Sequence, residues 1–206
     1  MEEIIFYIGA GIFTVTTISF FFLRKRNQKI ASINMIVNAL TIASYLLMVS
    51  GLFTQQATNG EFIYWTRWAF YAFSCSFLMY EISMILSIDN KTLLEIIVFN
   101  VLVMVAGLFA SITDGLIKWL FFALSSLAYL AVLYLLSKQR SENKLLFWFV
   151  VIFWSGFPVF WLLSPAGFLV LNAFWIALLY LILDLLTKVF FGYYTSLIIK
   201  KEATEA

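Results

Sequence analysis

The chain has 206 residues, of which 64% are apolar and only 12% charged, and its mean hydropathy is +0.99. A water-soluble domain of this length is nearer one half apolar, so the composition excludes one and describes a polytopic helical membrane protein. The formal net charge of +2 carries little, and the single cysteine, Cys75, allows no intramolecular disulfide.

Seven apolar segments of the ~20 residues needed to cross a ~30 Å hydrocarbon core run approximately over 3–23, 31–53, 61–87, 92–112, 116–137, 144–163 and 168–199. The first, "IIFYIGAGIFTVTTISFFFL", is long enough to span and is followed by "RKRNQK", so it reads as a spanning helix and not as a cleaved signal peptide. The later connections are short: "TQQATNG", "DNK", "SITDGL", "SKQRSENK" and "SPAG". They leave no room for a soluble module, so residues 1–206 read as one seven-helix transmembrane domain, multi-pass in the cell membrane. Basic residues fix the expected orientation. With seven spans, Arg24, Lys25, Arg26, Lys29, Lys91, Lys138, Arg140, Lys144, Lys200 and Lys201 all fall on one side, and Lys118 stands alone on the other. The N-terminus is therefore expected outside and the C-terminus in the cytoplasm.

Four ionisable residues lie at depth in the spans: Arg67, Glu81, Asp184 and Lys188. Such residues are costly in a bilayer and are functional candidates by default; Glu95, close to the end of its span, reads as interfacial. Lys188 precedes Lys200 by 12 residues, roughly 18 Å of helix, too deep for its stem to reach the interface comfortably. Asp184 lies four residues before it, on the same helical face. One reading of the pair is a structural ion pair that fastens helices. The other is a buried lysine that carries a carbonyl compound as a Schiff base, with Asp184 as counterion. The second reading calls for an aromatic-walled slot. Span six offers Trp154, Phe157, Pro158 and Trp161 on one face, with Pro158 expected to kink the helix; ordinary aromatic packing would give the same pattern.

The combination resembles the microbial rhodopsins, seven-helix proteins with retinal on a lysine of the last helix. "LDLLTKVFFG" is similar to their seventh-helix signature, "WSGFPVFWLL" to their sixth-helix motif, and "YWTRWAFYAFSCSFLMYEIS" to their third helix. The resemblance covers nearly the whole chain. It implies all-trans retinal bound covalently to Lys188 as a protonated Schiff base, with Asp184 as counterion and Tyr45 hydrogen-bonded to it. It implies that Tyr71 and Trp154 sandwich the polyene, that Phe157, Pro158 and Trp161 line the ring side, that Gly107 makes room for the ring, and that Phe122 and Ser125 complete the pocket. Phe157 has no hydroxyl, so the second tyrosine partner of many relatives is expected to be lost. Cys75 reads as a small packing residue or as a chromophore contact. Asn100 and Ser126 occupy places where relatives have polar contacts, and no role is assigned to them. No metal cluster is visible and no nucleic-acid partner is expected. Relatives often form trimers, so a homo-oligomer is expected.

The third helix selects the subtype. Where outward proton pumps carry an acceptor aspartate, this chain has Phe70, followed by Ser74 and Glu81 on the same face. That trio resembles the schizorhodopsins, a family that pumps protons inward under light. Phe70 can accept no proton. Asp184 is thereby the sole carboxylate near the lysine, expected to be paired with Arg67 and Tyr45. The resemblance then implies an ion transporter and not an enzyme. The proton leaves toward the cytoplasm by a Glu81-dependent path and is replaced from outside past Ser74 and Arg67. Competing readings are a sensory photoreceptor acting through a separate transducer, a light-driven anion pump, and a seven-span transporter or receptor without chromophore.

Overall fold

The computed structural model describes residues 2–57, 59–139 and 143–198. Arg140, Lys200 and Lys201, counted above in the charge pattern, lie outside the described residues, as does the expected end of the last span at 199.

The chain forms α1 (Glu2–Leu23), α2 (Gln28–Val49), a hairpin of β1 (Thr54–Gln56) and β2 (Phe62–Tyr64), α3 (Thr66–Ile85), α4 (Asn90–Ile112), α5 (Gly115–Ser137), α6 (Lys144–Leu163) and α7 (Ala173–Asp184). A π-helical segment, Leu185–Phe190, continues α7 and passes into α8 (Phe191–Ile198). These last three elements make one span, so among the described residues seven helices are long and apolar enough to cross a membrane. Successive helices pack side by side, and α7 returns onto α1, closing a ring.

Helix starts follow from short polar side chains in the connections. Asn27, Asp89, Asn143 and Asn172 each accept hydrogen bonds from backbone N–H groups of the first turn they precede, satisfying donors that a helix leaves unpaired. Three span boundaries differ from the sequence reading by four residues or more, the first being the end of span two, expected at 53 where α2 stops at Val49. Span three was expected from 61, but Phe62–Tyr64 pair in antiparallel register with Thr54–Gln56 (Thr54 with Tyr64, Gln56 with Phe62) and the helix begins at Thr66. The apolar run "FIYW" continues the hydropathy of the helix, yet aromatic and β-branched residues suit a strand equally well. Gly60, at φ +87°, turns the chain back. Span seven was expected from 168, but residues 164–171 form a turn stitched by Phe168 N–H to Leu162 O and Leu171 N–H to Leu163 O, and helix starts only after Asn172.

Large apolar side chains such as Val15, Phe22, Leu116, Leu127 and Leu145 face outward, as a hydrocarbon surround requires. In α2, α3 and the seventh span half of the membrane-spanning window is buried, against about a quarter in α4 and α5. The buried polar residues gather on the first group: Asn34, Asn38, Thr41, Ser44, Arg67, Ser74, Glu81, Asp184, Thr187, Lys188 and Thr195.

Candidate functional site

Asp184 is the last residue of α7, and Lys188 lies within the π-helical segment, an irregularity that the four-residue spacing did not reveal. Single-turn π segments inside α-helices are frequent at functional sites. The pairing itself is as expected. Lys188 Nζ donates to Asp184 Oδ1 at 2.6 Å, with both side chains buried. Tyr45 OH donates to Asp184 Oδ2 at 2.9 Å. The Tyr71 hydroxyl stands 2.8 Å from both carboxylate oxygens, and Lys188 Nζ lies 3.9 Å from the Tyr71 ring centroid, within cation–π range.

Two expectations are corrected here. Asp184 does have a second tyrosine partner, supplied by Tyr71 of α3 and not by the Phe157 position of α6. Nor does Arg67 pair with Asp184: no salt bridge joins them among the described residues. The buried guanidinium stacks 4.1 Å from the Tyr180 ring centroid, and its Nη2 lies 3.6 Å from Met48 Sδ. The tyrosines supply the neutral donors that the carboxylate needs.

Beside this cluster lies a cavity of about 710 Å³, its open side included, enclosed by α3 to α6. Tyr71 and Cys75 of α3, Gly107 of α4, Phe122, Ser125 and Ser126 of α5, and Trp154, Phe157, Pro158 and Trp161 of α6 all line it, with Asn100 also in the wall. The Trp161 indole stacks on Phe122 (centroids 4.6 Å apart, 14° between planes) and donates its N–H to Ser111 Oγ. Ser125 donates to Val103 O, Ser126 to Phe122 O, and Asn100 links α4 to α3 through Ser76 Oγ. Gly107 lines the cavity, and a Cβ built there would also come within 3.1 Å of Trp68 Cε3, so the missing side chain leaves room for an indole of α3 as well. Pro158 lies inside an uninterrupted α6. Phe70 is only partly buried and stands outside the cavity wall, whereas Ser74 is buried and its hydroxyl has no partner among the described residues.

Glu81 is fully buried on α3, about four turns from Arg67 toward the end of the bundle that carries Arg24–Lys29. Asn34 Nδ2 donates to Glu81 Oε1 at 3.1 Å, and the Thr195 hydroxyl meets the same oxygen. Oε2 has no partner among the described residues. Neither Asn34 nor Thr195 was singled out from sequence. The available signal was a polar residue at helical spacing: Thr195 follows Lys188 by seven, and Asn34 precedes Asn38 by four, within otherwise apolar spans.

A seven-helix bundle with a buried lysine–carboxylate pair beside an aromatic cavity defines a retinal-protein architecture. A model of the bacteriorhodopsin-like protein family matches residues 1–201, and the chain belongs to that family. Within it the chain stands with the schizorhodopsins: it is 64% identical to schizorhodopsin 4, whose crystal structure it matches with a TM-score of 0.94 over 96% of this chain and 99% of that one. Bacteriorhodopsin of Halobacterium salinarum is 30% identical over 80% of this chain and 69% of its own length. Bacteriorhodopsin-II of Haloarcula marismortui is 28% identical over 78% and 71%. The family implies a retinal chromophore, and the residues present fit one. The cavity walls are aromatic and sulfur-bearing, as suits an apolar ligand, and a buried amine stands against a carboxylate beside it.

Proposed function

We propose that this protein is a light-driven inward proton pump, with retinal joined to Lys188 Nζ, the end of the bundle bearing Arg24–Lys29 in the cytoplasm, and Glu81 on the path of release. The single observation that carries the direction is the placing of carboxylates. Position 70 is a phenylalanine, and among the described residues Asp184 is the one carboxylate at Lys188, occupied by Tyr45, Tyr71 and the lysine itself. The other buried carboxylate, Glu81, stands on the opposite side of the lysine with one oxygen unengaged.

When bound, retinal supplies light absorption and an all-trans to 13-cis isomerisation that redirects the proton on Nζ. The remaining work belongs to the chain. Tyr71, Trp154, Phe157 and Trp161 confine the polyene. Asp184 holds the positive charge at Nζ in the dark. A carboxylate with three donors is satisfied as an anion and gives the departing proton no destination on its own side. Glu81 attracts or accepts that proton toward the cytoplasm, and Nζ regains one from outside past Ser74 and Arg67. A homotrimer in the cell membrane is the assembly proposed by family resemblance.

Illuminated cells expressing the protein are expected to alkalinise their medium, with a protonophore abolishing the change. Sustained acidification, or a colour that depends on chloride, would count against the assignment. Glu81→Gln is expected to cut transport by tenfold or more, on the order of the contribution of a positioned proton-transfer group, while leaving the visible band nearly unmoved. Unchanged inward transport in that variant would remove Glu81 from the mechanism.

A further inference from the structure

Arg67 and Tyr71 stand four residues apart on α3, and Tyr180 and Asp184 stand four apart on α7. Residues so spaced share a helical face, and all four are buried. The two faces meet rung by rung. The Arg67 guanidinium lies over the Tyr180 ring, and one turn further in the Tyr71 hydroxyl meets Asp184. The arginine therefore faces an aromatic ring, while the carboxylate that would suit it sits on the next rung. Asp184 is near enough for its charge to act on the guanidinium, yet no salt bridge joins them among the described residues.

The Tyr180 ring is itself held in place. Phe157 stacks against it (centroids 5.9 Å apart, 24° between planes), Phe160 meets it edge-on at 6.1 Å, and its hydroxyl donates to Phe157 O at 3.4 Å. The other contacts of the guanidinium are weak. Nη2 reaches only Met48 Sδ, a poor acceptor, at 3.6 Å, and Nη1 has no partner among the described residues. A charge buried in this way needs compensation, and the negative face of the Tyr180 ring, 4.1 Å away, supplies it. The pair also sits at a boundary. Phe157 lines the cavity beside Lys188. Arg67 and Tyr180 line a second cavity of about 420 Å³, its open side included, bordered by Phe62–Tyr64 of the hairpin and by Ser164, Pro165 and Ala166 of the α6–α7 turn.

We propose that Tyr180 is a positioning residue for proton uptake: its ring holds the Arg67 guanidinium in the wall of the outer cavity and off Asp184. This rests on the inward-pump reading above. In uptake an O–H bond of water breaks, an N–H bond forms at Lys188 Nζ, and the hydroxide charge is left to the outer medium. An arginine drawn in to Asp184 would put a second cation on the carboxylate that faces Nζ. That cation would repel the incoming proton. It would also weaken the field of the carboxylate at Nζ, which moves the visible band of a positively charged chromophore to longer wavelength. Tyr180 prevents both without adding a charge of its own.

The test uses the retinal-loaded, full-length protein in sealed vesicles, with flash excitation and a pH dye on the side away from Arg24–Lys29. Tyr180→Leu removes the ring. It is expected to slow proton uptake about tenfold, the weight of one desolvated cation–π contact, and to move the visible band to longer wavelength. Tyr180→Phe keeps the ring and loses the hydroxyl. It is expected to stay within about threefold of the parent, the low end for one neutral hydrogen bond, with the band in place. Fluorinated phenylalanines at position 180 keep the shape and drain the negative face, so uptake and band are expected to change stepwise with the number of fluorines. Phe160→Leu, which touches the far partner of the ring and not the guanidinium, is expected to change neither. A flat fluorine series, a Tyr180→Phe as slow as Tyr180→Leu, or an equal defect in Phe160→Leu overturns the proposal. The band is read without transport, so it tests the hold on Arg67 even if inward transport survives Glu81→Gln and the Glu81 assignment fails.

Discussion

At the scale of residues, the cluster at Asp184 concentrates charge with little solvent. The carboxylate accepts hydrogen bonds from Lys188 Nζ and from the hydroxyls of Tyr45 and Tyr71, all within 2.9 Å. Hydrogen bonds to an ion in such a setting contribute roughly 1.5–3 kcal/mol each. Tyr71→Phe keeps the aromatic wall and removes one donor. It is expected to raise the rate of thermal bleaching of the retinal-loaded protein about tenfold, the lower end of that range, and to displace the visible band. Bleaching at the parental rate would mean that Tyr45 and Lys188 alone satisfy the carboxylate. The lysine–aspartate pair was legible because i and i+4 share a helical face. The Tyr71 hydroxyl was not, because spacing along α3 gives the direction of a side chain and not which atom of another helix it reaches. The same limit hid Asn34 and Thr195 at Glu81, whose contacts bridge separations of 47 and 114 residues.

At the scale of elements, most helix limits came within a few residues of the hydropathy runs, since apolar length and basic flanks are local properties. The departures occur where two structures share one composition. "FIYW" could open a helix or form a strand, and nothing in the composition of "LLTKVF" marks it as winding as a π segment and not as α-helix. The cap of α4 is a local device and can be tested alone. Asp89 accepts from the Thr92 hydroxyl and from the N–H groups of Thr92 and Lys91. These bonds, the Thr92 hydroxyl first, hold its carboxyl below the usual carboxylate range. A carboxyl depressed in the folded state stabilises above its unfolded value and loses that contribution as pH falls through the folded one. Amide exchange in the first turn of α4, corrected for its intrinsic pH dependence, is therefore expected to quicken below about pH 4, the ordinary carboxylate range. Asp89→Ala is expected to quicken it at neutral pH and to abolish the acid-dependent change. An acid-dependent change that persists in Asp89→Ala would assign it to another group.

At the scale of the whole molecule, the ring of seven helices turns a one-dimensional pattern into a two-ended device. The helices that bury most polar residues, α2, α3 and the seventh span, carry both carboxylates, and α3 to α6 enclose the cavity. Chain order alone could not show that α2 and the seventh span run side by side with their polar stripes facing, since they meet only on closure of the ring. Direction of transport depends on which end faces the cytoplasm, and the distribution of lysine and arginine is the argument for the end bearing Arg24, Lys25, Arg26 and Lys29. The molecule suits a labelling test because its one native cysteine, Cys75, is buried. Asn59, in the hairpin, and Lys25, after α1, are both exposed and lie at the ends of different connections. Asn59→Cys is expected to react with a membrane-impermeant maleimide in intact cells. Lys25→Cys is expected to react only after permeabilisation, and the parent chain in neither condition. The opposite pattern would invert the bundle, and with it the sense in which Glu81 receives the proton.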